Sequence, residues 1–434
     1  MKSPAKVDLL GALPEVSRPL VRRVLRSADE QRMRVYLVGG PVRDWLMGRP
    51  LRDVDLCVEP RDGKGASELG RRMQGSGLRV RVHERFGTVT LLDGPGSLDL
   101  ATVRSETYAH AGALPSVAAG TLEQDLRRRD FSVNAMALPL SQAARARGVD
   151  VVDVAGGLDD LARGRLRILH PQSFHDDPTR ALRAARLAPR LGFAVTRDTR
   201  VALRNALRDG VFGRVSGDRL RRELVRVFDD TAVGLEPGRA LRLLHEWHVL
   251  AALEPGLALD RAASVPLRRL GRTLLAPPWP LGRSRAWVAG TGLWLAPLPL
   301  ALRRRALRRF AIRGALADRL LNLPKRCDSW QRNLARARGR GAVDAALEGI
   351  DEESLLALYS LAEPAARRRV ARWAAHDRAR RPPVSGDDLV AIGLAGPAVG
   401  RALRRVRTSW LDGTIRSRDE ALALAQELYR RGRR

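Results

Sequence analysis

The chain has 434 residues, 44% of them hydrophobic and 29% charged, so it can bury cores, and wholesale disorder is excluded. Its 78 Lys and Arg against 48 Asp and Glu leave a net charge of +30, which implies a polyanionic partner, most simply a nucleic acid. Two cysteines, Cys57 and Cys327, cannot build a disulfide framework or a Cys-based zinc site, and they fit a reducing, cytoplasmic compartment.

In chain order, residues 1–32 read as a helical lead-in. Acidic Asp8 and Glu15 interrupt this stretch before any signal-like apolar run develops. Val35 to Val38 is a short apolar run closed by Gly39-Gly40, which predicts a strand ending in a tight turn, and Val42 to Leu46 resumes as a helix start. Asp53 to Val58 alternates as a strand does. Val80 to Val82, Thr88 to Leu92 and Leu98 to Val103 are further strand candidates.

From about Asp159 the pattern changes. Leu182 to Leu191, Val201 to Leu207, Leu220 to Phe228 and Ala240 to Leu250 show helical apolar spacing with arginines on the other face, and no strand is expected after them or among them. Residues 277–280 (PPWP) and Arg381 to Pro383 are breakers and candidate boundaries. Ala286 to Leu302 is the most apolar stretch, but glycines and prolines interrupt it. It falls short of the roughly 20 apolar residues a membrane span needs, so no membrane association is expected.

The chemistry-bearing residues cluster early. Two glycines after a strand let backbone approach a phosphate closely, which singles out Gly39 and Gly40. Asp53 and Asp55 lie two apart on a predicted strand, so both carboxylates project from one face. Such a pair is costly unless a cation sits between, and carboxylates with substrate phosphates are the usual way to hold Mg²⁺. Asp99, between Leu98 and Leu100, is expected to face inward and to complete that site. Arg43 is a candidate donor to phosphate oxygens, with Asp44 beside it. Asp130 and Asn134 are four apart, so a helix would put them on one face behind Arg128 and Arg129. His376-Asp377 lacks the spaced partners of a metal site and reads as a solvated pair.

These residues carry a resemblance. The stretch VGGPVRDWLMGRPLRDVDL (38–56) resembles the nucleotidyltransferase signature of the class II tRNA nucleotidyltransferase and bacterial poly(A) polymerase family. DLRRRDFSVNAMAL (125–138) and HDDPTRALRAARLAPRLGF (175–193) are similar to that family's next motifs, in the same order. The resemblance implies an α+β fold. A polymerase β-like nucleotidyltransferase head, a small mixed sheet with helices, would be followed by an all-helical neck, body and tail. In this chain those parts would be 33–158, 159–240, 241–330 and 331–434, after the lead-in 1–32.

The resemblance implies an enzyme joining a nucleoside monophosphate to an RNA 3′-hydroxyl, with tRNA as partner, CTP and ATP as substrates and two Mg²⁺ ions as cofactor. Asp53 and Asp55 would be catalytic metal ligands and Asp99 a third catalytic carboxylate. Gly39, Gly40, Arg43, Arg129, Asp130 and Asn134 would bind the nucleotide's phosphates and ribose, and Asp177 with Arg180 its base. The hydrogen-bond logic agrees. Cytosine and adenine each offer an amino donor beside a ring-nitrogen acceptor, the order an Asp–Arg pair accepts, whereas guanine and uracil offer the reverse.

Residues 108–117 fall where the family has a mobile loop; their Ala-rich filling leaves open whether C, A or both are added. Arg219, Arg222 and Glu223 either support the nucleotide pocket or pair on a helix surface. The segment 382–406 is similar to the family's tail element. There Leu394 to Gly400 would join two short helices through a Gly-Pro turn, and Gly396, Gly400, Arg401 and Arg404 would hold RNA phosphates. Poly(A) synthesis on general RNA, and RNA binding without catalysis, remain alternative readings of the same motifs.

Overall fold

The computed structural model describes residues 9–60, 65–75, 77–83, 87–94, 96–113, 115–140, 150–274, 279 and 286–431. Of the breaker at 277–280, only Trp279 is among them. The chain divides into two compact units, Met1–Val215 and Ser216–Arg434.

The first unit is built on a seven-stranded mixed sheet with the order β3-β4-β5-β2-β1-β8-β9. Its strands are β1 (Arg34–Val38), β2 (Asp55–Glu59), β3 (Arg79–His83), β4 (Thr88–Asp93), β5 (Gly96–Thr102), β8 (Met136–Pro139) and β9 (Val152–Asp153). The β2–β5 pair is parallel and the others are antiparallel. Two further strands, β6 (Arg104–Thr107) and β7 (Ser116–Ala119), pair as a separate hairpin whose connection contains the predicted loop.

Helices Arg18–Glu30 and Ala66–Arg72 pack against the sheet, the first burying Leu20, Val21, Val24 and Leu25 along one stripe. A core of Tyr36, Val38, Cys57, Val103, Leu122, Leu126 and Ala137 joins the sheet to the short helix Leu122–Arg127. Thr121 and Gln124 cap that helix reciprocally, which fixes its start.

Two expectations for the first unit change. Strands do follow residue 159: β10 (Arg165–Leu166) and β11 (Ala194–Val195) form a two-residue parallel ladder, too short for alternation to announce. Asp130 and Asn134 do not share an α-helix. The helix stops at Arg127 and a single 3₁₀ turn covers Ser132–Asn134.

The second unit is helical throughout its described residues. Helix Ala286–Leu295 is buried on almost every side, and no helix among the described residues is long and apolar enough to cross a membrane. Its glycines are packing devices: a Cβ on Gly290 would lie 2.2 Å from the Phe228 ring, and one on Gly292 2.4 Å from Leu323. The last three helices share a small core of Val384, Leu389, Leu394, Ala402, Val406, Ile415, Ala421 and Ala425. Asp377 is not solvated. It is 2% exposed and accepts the Arg340 guanidinium, while His376 stays exposed.

Gly290→Ala tests this packing. Alanine gains about 1 kcal/mol of helix propensity, but overpacking a filled core costs about 1–3 kcal/mol, so the melting temperature should fall. A rise would mean that the Phe228 ring is free to move aside.

Candidate functional site

The site begins with the turn after β1. Gly39 has φ +76° and ψ −133°, and its N–H donates to the Met136 carbonyl at 3.1 Å. A Cβ there would lie 2.6 Å from Arg129 Nη1, so only glycine fits both the conformation and the space. The Arg129 guanidinium thus lies directly against the turn. Its Nη2 donates to Asp125 Oδ2 at 2.9 Å and approaches Cys57 Sγ at 3.9 Å.

Asp55 opens β2, and Asp53 lies just before the strand rather than within it. Parallel register places Asp55 opposite Asp99, and in parallel strands paired residues share a face. Asp99 does not point inward as expected. It is exposed while Leu98 and Leu100 are buried, and Thr90 Oγ1 donates to it at 2.7 Å. The Asp55 carboxyl is held above the usual carboxylate range. The protein walls around it are the main cause, and repulsion from Asp53 and Asp99 adds to them against the pull of Arg129 and Arg183.

Among the described residues no three His, Cys, Asp or Glu side chains form a ready-made metal group. Two mutually repelling carboxylates at a pocket wall still fit Mg²⁺, which takes one or two carboxylates and completes its shell with water and phosphate.

A chain of side chains runs from the turn to the next motif. Arg43 is 4% exposed; its Nε and Nη2 donate to Asp44 Oδ1 at 2.9 and 2.7 Å, and its Nη1 to Asn134 Oδ1 at 2.5 Å. Asn134 Nδ2 donates to Asp130 Oδ1 at 3.0 Å. Asp130 Oδ2 lies 2.9 Å from Arg183 Nη2 but out of hydrogen-bond alignment. Burial pushes the Asp130 carboxyl up, but Arg183, Asn134, Arg180 and the Phe131 N–H outweigh it and hold it ionised. Arg43 is therefore a positioning group for Asn134 more than a free phosphate donor.

A pocket of about 180 Å³ opens here. Gly40, Arg43, Asp53, Asp55 and Asn134 line it, joined by Arg52, Arg183, Arg186 and Arg190. The last three were missed as site residues, although their spacing of three and four on helix Thr179–Leu191 puts them on one face. They belong to the arginines expected on the face opposite the apolar positions of Leu182 to Leu191.

Asp177 and Arg180 are not among the residues lining that pocket. Asp177 Oδ1 accepts from the Thr179 N–H at 2.9 Å and its hydroxyl at 2.6 Å. Arg180 is 4% exposed, donating from Nη1 to Ser173 Oγ at 2.5 Å and from Nη2 to the Arg128 carbonyl at 2.7 Å. The Gly112 N–H donates to the His175 carbonyl at 2.8 Å, which ties the predicted loop to this segment.

Asp125 was also missed. It is 0% exposed, and its Oδ1 accepts from Arg128 Nη2 at 2.6 Å while Oδ2 holds Arg129. Burial pushes its carboxyl up, but Arg129 and Arg128 win and the net position is lowered. In the second unit Glu223 is buried and accepts from Arg226 Nη1 at 2.5 Å, while Arg222 is exposed.

In the tail, Gly396 has φ +52° and precedes helix Pro397–Asp412, whose 16 residues make it long rather than short. Gly400 lies inside that helix, not in the turn. Arg401 and Arg404 are exposed on it.

The Asp125 pairs carry a pH signature. A carboxyl whose pKa is lower in the folded state than in the unfolded chain adds stability above the unfolded value, and that stability is lost as pH falls through the folded value. Breaking a buried pair costs about 3–5 kcal/mol, so Asp125→Asn should lower the melting temperature most at pH 7. The deficit should shrink below about pH 4 as the wild-type carboxyl protonates. A pH-independent deficit in thermal melts would contradict the ionised pairing.

Residues 35–167 match the poly A polymerase head domain. The chain is 31% identical over 422 residues to the A-adding tRNA nucleotidyltransferase of Halalkalibacterium halodurans, covering 94% of this chain and 92% of that one. It is 35% identical to the CC-adding tRNA nucleotidyltransferase of Deinococcus radiodurans, covering 88% and 86%. The A-adding enzyme of Geobacter sulfurreducens is 31% identical over 96% of this chain, which spans only 47% of that longer relative. Among solved structures, the Thermotoga maritima CCA-adding enzyme complexed with tRNA aligns with a TM-score of 0.68 at 25% identity, covering 96% of this chain and 97% of that one. The nucleotidyltransferase motifs, the mixed-sheet head that holds them and these likenesses lead to one conclusion: the chain belongs to the class II tRNA nucleotidyltransferase family.

Proposed function

We propose that the protein adds C, A or both to the 3′ end of tRNA, using CTP or ATP and releasing pyrophosphate. The observation that carries this reading is the pocket in which Asp53 and Asp55 face five arginines beside the Gly39-Gly40 turn. A triphosphate is the ligand that suits both halves at once. Its charge meets Arg52, Arg183, Arg186 and Arg190, and the glycine turn lets it come close to backbone.

Asp53 and Asp55 would hold two Mg²⁺ ions. Bound there, the ions would lower the pKa of the RNA 3′-hydroxyl and neutralise charge on the leaving pyrophosphate. Asp99 stands on the same face as the third carboxylate. Arg129, pressed between the Gly39 turn and Asp125, fixes the height of that turn against Asp55. Asn134, aimed by Arg43, and Asp130, whose Oδ2 is out of hydrogen-bond alignment, would meet the ribose hydroxyls. Asp177 and Arg180 would select the base by the donor–acceptor order of cytosine and adenine. In the tail, exposed Arg401 and Arg404, next to the turn at Gly396 and to Gly400, would hold tRNA phosphates without reading sequence. A cytoplasmic site of action fits the two free, buried cysteines.

The test is a primer-extension gel. The protein with Mg²⁺ is given tRNAs ending before the CCA, after CC and after CCA, plus a generic RNA, with each nucleotide alone and with CTP and ATP together. Extension of a truncated tRNA by C, A or both, stopping at CCA, is the expected result. Long A tails on the generic RNA would move the protein to poly(A) synthesis, and no product on any substrate would sink the catalytic reading.

Two variants locate the chemistry. Asp55→Ala should remove extension while leaving tRNA binding intact in a filter assay. Gly39→Ala should cut kcat by about 100-fold, because its Cβ displaces Arg129 and a misplacement of about 1 Å costs that much. Wild-type kcat in Gly39→Ala would contradict the close packing of turn and arginine.

A further inference from the structure

Glu106 lies outside every motif, on β6 beside the mobile-loop position, and its side chain is only 7% exposed. Both of its oxygens are engaged. Oε1 accepts from Arg128 Nη1 at 2.7 Å and from Arg104 Nη2 at 3.0 Å, and Oε2 accepts from the Tyr108 hydroxyl at 2.9 Å. Burial and Glu106 together raise the Tyr108 pKa, so that hydroxyl stays a donor.

The Arg128 guanidinium is spent inside the protein. Nη1 goes to Glu106, while Nε and Nη2 go to Asp125 Oδ1 at 3.0 and 2.6 Å. Two carboxylates from different elements therefore fix this one arginine. Arg128 closes helix Leu122–Arg127, and no regular structure carries the backbone on to the 3₁₀ turn at Ser132. The backbone there is tied to the end of the helix, the Arg128 N–H donating to the Gln124 carbonyl at 3.2 Å and the Arg129 N–H to the Leu126 carbonyl at 3.3 Å, and the clamped side chain adds a further restraint on the same peptide. That peptide's carbonyl accepts Arg180 Nη2 at 2.7 Å. With Ser173 on Nη1, these bonds set the plane of the Arg180 guanidinium and determine which edge is left to offer a base.

We propose that Glu106 is a specificity-determining positioning residue: by clamping Arg128 it places the carbonyl that orients Arg180, and so sets how strictly the incoming base is read. The inference rests on the assignment of base selection to Asp177 and Arg180 made above. Glu106 acts through one side chain and one peptide.

The experiment is a double-mutant cycle on the full-length protein, read as the kcat/KM preference for ATP over GTP and for CTP over UTP on truncated tRNA. Glu106→Gln keeps the shape but replaces one acceptor oxygen with a donor facing two guanidinium groups. It should lower the preference about tenfold for whichever nucleotide the enzyme uses. In an Arg180→Ala background, which should itself lower the preference, Glu106→Gln should cause no further loss. A merely structural role would change overall activity and melting temperature alike and leave the preference ratio unmoved.

If Arg180→Ala lowers the preference and Glu106→Gln does not, or if their losses multiply, the relay is wrong while base selection by Arg180 stands. If Arg180→Ala leaves the preference unchanged, both readings fall. Should Glu106→Gln not fold, Arg128→Lys provides the same cycle, because lysine keeps the charge but cannot bridge Glu106 and Asp125 as a planar fork.

Discussion

The head depends on one buried carboxylate. Asp125 is wholly enclosed and divides its two oxygens between Arg128 and Arg129. Each arginine then does something a lone side chain cannot. Arg129 sets the glycine turn against the strand that opens with Asp55. Arg128 carries the carbonyl that accepts Arg180 Nη2. An unpaired carboxylate here would cost several kcal/mol, so Asp125 depends on both arginines, whereas Arg128 keeps Glu106 as a second partner. The Gly39 turn and the segment that carries Arg180, far apart in sequence, therefore share one anchor.

The acidic strand face carries the opposite sign of energy. Asp53 and Asp99 both repel Asp55, which stands exposed at the start of β2. Nothing in the packing requires this arrangement, and Leu56, Leu98 and Leu100 on the other face already hold the strands. Local cost retained on a well-packed sheet is what a site for a divalent cation and a polyphosphate looks like before its ligands arrive.

Much of this was legible in the chain. Alternation marked β2 through β5, the Gly39-Gly40 turn followed an apolar run, and Asp53 and Asp55 announced themselves by spacing. What was not legible has physical reasons. β8 and β9 are short, and β8 is apolar throughout, so it carries no period of two. Asp99 was read as inward because its neighbours are leucines, but a strand with one open face places a polar residue outward between them. Arg183, Arg186 and Arg190 were hidden among ordinary helix-surface arginines, since nothing in a sequence tells a helix face turned to solvent from one turned to a pocket. Asp125 and Glu106 were hidden because their short-range pairs, Asp125 with Arg128 and Arg129 and Glu106 with Arg104 and Tyr108, look in a sequence like ordinary surface pairing, and their burial is set by the elements packed over them.

The central claim is that one scaffold holds a nucleotide with its triphosphate over Asp53 and Asp55 and its base against Asp177 and Arg180. A crystal structure of the protein with Mg²⁺ and a non-reactive analogue of ATP or CTP tests it most directly. The account predicts triphosphate oxygens among Arg52, Arg183, Arg186 and Arg190, with the base edge on Asp177 and Arg180 and the Arg128–Asp125–Arg129 cluster unchanged. A base bound elsewhere, or a cluster that rearranges on binding, would contradict it.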